Sequence, residues 1–199
     1  MVIKMEIIAA TKNKGKVAEL KSILSVYGFD VISQDEAGIE AEVCESGSTF
    51  LENALIKARA VALLCDCAVI ADDSGICVNA LGGEPGIYSA RYSGVHGDSE
   101  ANNRKLLAEL SDKNNRSAYF ECAVALVLPD GEELTAGGRT EGRILEAPSG
   151  ENGFGYDCIF YSDELGKSFG VASDEEKNAV SHRAKALKNL CCKLDRYLK

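Results

Sequence analysis

The sequence predicts an α/β protein built on a mixed central sheet flanked by helices. Three observations carry this. Short apolar runs that read as strands, Met5 to Ala10 and Ala68 to Ala71, alternate with segments of helical periodicity. Ser117 to Leu128 sends Ala118, Phe120, Cys122, Val124, Leu126 and Leu128 to one face, the clearest strand pattern in the chain. Pro129-Asp130-Gly131-Glu132 is then a hairpin signal, after which Glu133 to Ile144 returns antiparallel. An antiparallel return weakens a purely parallel, doubly wound dinucleotide fold. No GxGxxG occurs either, since Gly150-Glu151-Asn152-Gly153-Phe154-Gly155 has the wrong order.

The remaining elements follow in order. After the first strand, Val17, Leu20, Leu24 and Tyr27 recur at helical spacing, and that helix ends near Gly28. Val31 to Ser33 reads as a short strand, and the acidic stretch Gln34 to Glu45 as loop or edge. Thr49-Phe50-Leu51-Glu52 fits a capping box for a helix to about Leu64, with Leu51, Ala54, Leu55, Ala58, Val61 and Ala62 on its buried side. Ala68 to Ala71 is a buried strand that ends in the turn Asp72-Asp73-Ser74-Gly75. Gly82-Gly83-Glu84-Pro85-Gly86 is a compact loop. Asp98 or Ser99 caps a helix carrying Leu106, Leu107 and Leu110. A strand is expected from Cys158 to Tyr161. Ser173-Asp174-Glu175-Glu176 is another capping box, and Ser181 caps a last helix with the seam Leu187, Leu190, Cys191, Leu194 and Leu198.

At 199 residues the chain is long enough for one well-buried domain, read here as residues 1–199. No apolar run reaches membrane-spanning length. Charges in Met1-Val2-Ile3-Lys4-Met5-Glu6 stand where a signal peptide needs its apolar core, so a cytoplasmic location is expected. A net charge of −9 argues against indiscriminate nucleic-acid binding but not against a small anion held by a local basic cluster. The eight cysteines show no CxxC spacing and there are two histidines, a poor set for zinc. Most read as small buried hydrophobes, with Cys191-Cys192 the pair most open to oxidation.

Three loops carry candidate chemistry. Thr11-Lys12-Asn13-Lys14-Gly15-Lys16 joins a strand to a helix N-terminus, where free N–H groups and the dipole favour an anion. Three lysines make phosphate the favoured ligand, although GxxxxGK[ST] is absent. Asp72-Asp73 places two acids side by side, which a metal cation or a shared proton offsets, unless the stretch is only a solvated turn. Gly153-Phe154-Gly155-Tyr156-Asp157 suits stacking on a flat ring and hydrogen bonding its edge, or equally the head of a core strand. Lys177, His182 and Arg183 cluster at the last helix junction, where cations in a first turn oppose the dipole and point to an anionic or carbonyl ligand. Glu45 reads as a metal ligand or a dipole-favoured acid, and Lys57 lies off its helix's apolar stripe.

Taken together, Thr11–Lys16, Ala71-Asp72-Asp73-Ser74-Gly75, Leu81-Gly82-Gly83-Glu84-Pro85-Gly86, Phe154-Gly155-Tyr156-Asp157 and Ser181-His182-Arg183 closely resemble the inosine/xanthosine triphosphate pyrophosphatase family. The five motifs keep their order from the first strand to the last helix. The resemblance implies two lobes with an active-site cleft between them, and a homodimer. It implies Mg²⁺-assisted hydrolysis of non-standard purine nucleoside triphosphates (ITP, dITP, XTP) to the monophosphate and pyrophosphate. By matching position, Thr11, Lys12, Asn13, Lys14, Gly15 and Lys16 bind phosphates with help from Lys57. Glu45 and Asp73 hold the metal, Asp72 supports, and Asp73 accepts the water's proton. Ser74 contacts substrate, while Phe154, Gly155, Tyr156, Asp157, Lys177, His182 and Arg183 handle the base. Cys158 departs from the pattern, in which Pro commonly follows the Asp of that loop.

The residue types suit that chemistry. Phosphoryl transfer runs on positioning and charge neutralisation, here from the metal and Lys16. Mg²⁺ is commonly held by one or two carboxylates plus phosphate oxygens. Donors from Arg183 and backbone N–H groups fit the 6-oxo group of inosine or xanthosine and leave adenine's 6-amino group unsatisfied. A nucleotide sensor using the same residues without turnover is disfavoured, because metal-free carboxylates repel phosphate.

Overall fold

The computed structural model describes residues 5–197. Its elements run β1 (Met5–Ala9), α1 (Lys14–Ser25), β2 (Phe29–Ser33), α2 (Phe50–Ala62), β3 (Ala68–Val78), α3 (Ser99–Glu109), β4 (Ser117–Val127), β5 (Glu133–Ile144), β6 (Phe160–Ser162), β7 (Lys167–Ser168), α4 (Asp174–Val180) and α5 (His182–Tyr197). The strands form one seven-stranded sheet in the order β2-β1-β3-β4-β5-β6-β7. β1 is parallel to both β2 and β3, whereas β6 is antiparallel to β5 and β7, so the sheet is mixed. The turn after β4 closes through Leu128 N donating to Glu132 O at 2.9 Å.

The chain divides into two compact units: residues 1–73, 122–138 and 183–199 form the first, and residues 74–121 and 139–182 the second. In the first unit the strands are covered on both faces. Ile7, Ala9, Ile70, Val124 and Leu126 pack with Leu20 and Leu24 of α1 and Leu187, Leu190 and Leu194 of α5. Ile8, Ala10, Val69, Ala71, Ala125 and Val127 pack with Ala54, Ala58 and Val61 of α2. Successive strand residues therefore face different helices, the period of two that a pleated backbone imposes. The core of the second unit gathers Ile76, Val78, Leu106, Leu110, Phe120, Ile144, Tyr156, Phe160 and Phe169. Phe120 and Phe160 meet edge to face at 4.7 Å.

Helix starts follow local chemistry. Thr49 accepts from the Glu52 N–H, Asp98 from the Ala101 N–H, and Ser173 with Glu176 completes a reciprocal capping box. Four expectations need correction. Asp72-Asp73-Ser74-Gly75 is no turn: β3 runs through it to Val78, because the acids are compensated by cations of other elements. Residues 157–159 form a 3₁₀ turn, so the strand expected from Cys158 starts at Phe160. Leu51 is 39% exposed, and Phe50 and Asn53 take places on the buried side of α2. Of the Cys191-Cys192 pair only Cys192 is exposed, and burial pushes the Cys191 thiol up to about 11. Leu198 lies outside the described residues.

Candidate active site

The two acids of β3 anchor the first unit's site. Alternation turns Asp72 to the face of Ile70, towards α1 and α5, and Asp73 to the face of Val69 and Ala71, towards α2. Asp72 is fully buried. Its Oδ2 takes Arg183 Nη2 at 2.8 Å and Nε at 3.2 Å, with Lys16 Nζ at 3.1 Å. Arg183 Nη1 also bonds Glu19 of α1. Burial alone raises the Asp72 carboxyl, but the charges of Arg183, Lys16 and Lys57 outweigh it and hold the group well below the usual carboxylate range. The same acids hold the Arg183 guanidinium up against its own burial.

On the other face Lys57 Nζ bridges Glu45 Oε1 at 2.6 Å and Asp73 Oδ1 at 3.1 Å. Burial would lower this ammonium, yet Asp73, Asp72 and Glu45 raise it further. For Asp73 burial prevails over Lys57 and Lys16, and its carboxyl is raised. Asn53, one helical turn before Lys57, donates to Asp73 Oδ2 at 3.2 Å and accepts the Gly47 N–H at 2.8 Å. A Cβ on Gly47 would stand 2.7 Å from both Asn53 Oδ1 and Glu52 Cβ, so glycine lets the Glu45 segment lie against α2.

The loop before α1 is ordered by its own side chains. Thr11 Oγ1 accepts the Asn13 N–H at 3.2 Å, and Asn13 Oδ1 caps α1 by accepting the Lys16 N–H at 3.1 Å. Lys12, Asn13 and Lys14 are exposed, Lys14 opens the first turn of α1 with Gly15 behind it, and Lys16 turns inward to Asp72. No acid stands in that first turn to oppose an anion.

In the second unit Asp157 Oδ2 accepts Lys177 Nζ at 2.5 Å and the Phe154 N–H at 2.8 Å. Both charged side chains are 4% exposed. The Lys177 ammonium lies 4.6 Å from the Phe154 ring centre and 5.7 Å from that of Phe169. Phe154 and Gly155 are half-buried, whereas Tyr156 belongs to the core and donates to Ser89 O at 2.9 Å. Asn103 donates to Gly155 O at 3.0 Å and to Cys158 Sγ at 3.3 Å, fixing the loop from α3. His182 is buried with its ring stacked on Phe120 at 4.6 Å. Ser74 is half-buried in β3.

The sequence-predicted residues thus fall into two sets. Lys16, Glu45, Lys57, Asp72 and Asp73 come together in the first unit, as do Phe154, Asp157 and Lys177 in the second. The Arg183 guanidinium, in the first unit, is 1% exposed and engaged with Asp72 and Glu19. Sequence reasoning passed over Asn53, Glu19 and Asn103. For Asn53 a signal existed, a polar pair with Lys57 at four-residue spacing beside the apolar Ala54 and Ala58.

Sequence comparison matches the Ham1 family over residues 7–193. The chain belongs to the Ham1 family. It is 50% identical to the dITP/XTP pyrophosphatase of Bacillus subtilis, over 96% of this chain and 97% of that one. With the dITP/XTP pyrophosphatase of Haemophilus influenzae it shares 46% identity, over 96% and 100%. Among solved structures it is similar to the Staphylococcus aureus Ham1 protein, with a TM-score of 0.84 and 43% identity over 96% of this chain and 99% of that one. It is also similar to the nucleoside-triphosphatase, dITP/XTP pyrophosphatase, of Mycobacterium abscessus, with a TM-score of 0.73 and 46% identity over 94% and 98%.

The residues of this Ham1 chain fit a magnesium ion. Glu45 and Asp73 offer hard oxygens that already converge on one cationic atom, Lys57 Nζ. Among the described residues no three His, Cys, Asp or Glu side chains gather as a metal cage. Two carboxylates, with phosphate oxygens and water completing the shell, is the usual arrangement for Mg²⁺ at a nucleotide.

Proposed function

We propose that this protein hydrolyses non-standard purine nucleoside triphosphates, dITP, XTP and ITP, to the nucleoside monophosphate and pyrophosphate. The observation that carries this reading is the convergence of Glu45 and Asp73 on a single cation while Lys16, the last residue of the lysine-rich loop, reaches the adjacent Asp72. The names borne by the relatives supply the substrates.

In the reaction water attacks the α-phosphorus, the bond from that phosphorus to the bridging oxygen breaks, and pyrophosphate departs. Thr11 to Lys16 bind the phosphates through the helix N-terminus and lysine ammoniums. Asp73 takes the proton of the attacking water, held in place by Asn53 and Lys57. Glu45 and Asp73 would hold Mg²⁺, which when bound neutralises charge on the leaving pyrophosphate. Lys57 yields its place between those carboxylates and turns to the phosphates.

The base falls to Phe154, Gly155, Asp157, Lys177 and His182, with Ser74 touching substrate. Lys177 is the donor there for a 6-oxo group, and Phe154 the ring for stacking. A 6-amino group facing donors would cost about 1–3 kcal/mol, roughly five- to 150-fold in selectivity. The same resemblance carries a cytoplasmic homodimer. No described helix is long and apolar enough to cross a membrane.

Turnover measured with ITP, XTP, dITP, ATP and GTP, with and without Mg²⁺, tests the reading. Magnesium-dependent pyrophosphate release favouring the first three is expected, and release of orthophosphate alone would replace the pyrophosphatase by a phosphatase.

A further inference from the structure

We propose that Cys65 and Cys67 form a surface dithiol that a small disulfide of the glutathione class oxidises to an intramolecular disulfide, Cys65 attacking first and Cys67 closing the ring. Neither cysteine is among the residues proposed to touch substrate or metal, so this modification does not depend on the hydrolase reading.

The two thiols stand on either side of Asp66 in the connection between α2 and β3, and both are half-buried. Leu63 and Leu64, just before them, are 86% and 57% exposed, so the connection runs on the surface and a small molecule reaches it. The alternation of β3 extends backwards through this segment. Cys65, Cys67, Val69 and Ala71 all turn to the apolar cluster beneath α2, while Ala68 and Ile70 turn to the other face. Both sulfurs therefore leave the backbone on one side. Cys65 Sγ is anchored by Val61 O at 3.6 Å, and the Cys67 thiol is hydrogen-bonded to Cys65. Two residues of fully extended chain span at most about 7 Å. The backbone bends at Asp66 and Cys67, which shortens that span towards the roughly 4.4–6.8 Å between Cα atoms that a disulfide takes.

Partial burial, then Cys65 and the Glu6 and Asp66 carboxylates, push the Cys67 thiol up, which reserves it for the second step. In the first step the Cys65 thiol gives its proton to water and its sulfur attacks one sulfur of glutathione disulfide. That S–S bond breaks, and one glutathione leaves as the thiolate. Cys67 then gives its proton to water and attacks Cys65 Sγ. The bond from Cys65 to glutathione breaks, and the second glutathione leaves. Two electrons pass from the cysteines to the reagent, and each departing thiolate takes up a proton.

The test exposes the folded full chain to glutathione disulfide, blocks the remaining thiols by alkylation, and cleaves the unfolded product on the amino side of aspartates. That cleavage puts Cys65 in the peptide of residues 35–65 and Cys67 in the peptide of residues 66–71. Only a disulfide keeps the two together in mass spectrometry. Wild type and Cys44→Ser are expected to give the linked pair, since Cys44 is the other cysteine of the first peptide. Cys65→Ser and Cys67→Ser, checked for folding by circular dichroism, should lose it. Cys67→Ser should hold glutathione on Cys65, the first step trapped without the second. Absence of the link in wild type, or glutathione left standing on Cys65 there, would overturn the proposal. So would a link lost in Cys44→Ser, which would make Cys44 the partner of Cys67. Glutathione held on Cys67 in Cys65→Ser, with none on Cys65 in Cys67→Ser, would overturn the order of attack. If the serine variants at 65 and 67 do not fold, wild type and Cys44→Ser decide between these outcomes.

Discussion

Asp72 and Asp73 are consecutive, yet their carboxylates meet different helices: Asp72 pairs with Lys16 of α1 and Arg183 of α5, Asp73 with Asn53 and Lys57 of α2. The alternation of β3 makes this separation. Two neighbouring acids in a loop would share one environment and repel. In a strand each finds its own cations, so Asp72 is sealed against Lys16 and Arg183 while Asp73, 7% exposed, meets Lys57 on the other face.

Asp73→Asn tests that division. The amide keeps the size of the side chain and its contact with Asn53 but accepts no proton. Turnover should fall roughly 100- to 10,000-fold, the usual worth of a general base. Thermal unfolding should be little changed, because a desolvated carboxylate is being neutralised. A variant that keeps near wild-type kcat would remove Asp73 from the proton-acceptor role.

Lys57→Met tests whether the ammonium stands where a metal binds. Removing it leaves Glu45 and Asp73 facing each other with no bridging charge. Mg²⁺ affinity of the substrate-free protein should rise, on the order of tenfold, as two close carboxylates seek a cation. KM for the triphosphate should rise too, through loss of a phosphate partner. Unaltered Mg²⁺ affinity in calorimetry would mean the metal does not use these two carboxylates together.

How far this was readable depends on the range of the forces. The helix starts at Thr49, Asp98 and Ser173 and the strand Glu133–Ile144 follow from neighbours in the chain, and the structure has them where expected. The Asp72-Asp73 strand was misread as a turn because local polarity signals a loop. The charges that permit a strand there come from Lys16, 56 residues away, and Arg183, 111 residues away. The spacing of Asn53 to Lys57 is visible in the sequence, but its partner Asp73, 20 residues away, is not.

Asp157 and Lys177 form the buried pair of the second unit, and its removal should be felt in stability as well as selectivity. Asp157→Asn takes from the Lys177 ammonium, which lies beside Phe154 and Phe169, the carboxylate charge it meets. Breaking such a pair costs about 3–5 kcal/mol, and each kcal/mol lowers Tm by roughly 2–4 °C at this chain length. The double variant Asp157→Asn with Lys177→Met should regain most of the loss, since no charge is then stranded. Preference for ITP over ATP should collapse in both variants. Preserved preference in the double variant would show that the base is read elsewhere.

Glu36 offers a prediction free of the active residues. Its carboxylate accepts Lys21 Nζ at 2.8 Å from both oxygens and the Ser33 N–H at 2.7 Å. The bond from Lys21 is the largest influence, followed by the Ser33 N–H and hydroxyl, and together they lower the carboxyl to about 2. A depressed carboxyl stabilises the fold fully above its ordinary value, about 4.3 in an unfolded chain, and that contribution fades as pH falls towards 2. In an NMR titration Glu36 should therefore show a midpoint near 2. Lys21→Met should move the midpoint upward, part of the way to the ordinary value because the Ser33 donors remain. A wild-type midpoint in the ordinary range would mean that the Lys21 and Ser33 contacts are not held in solution.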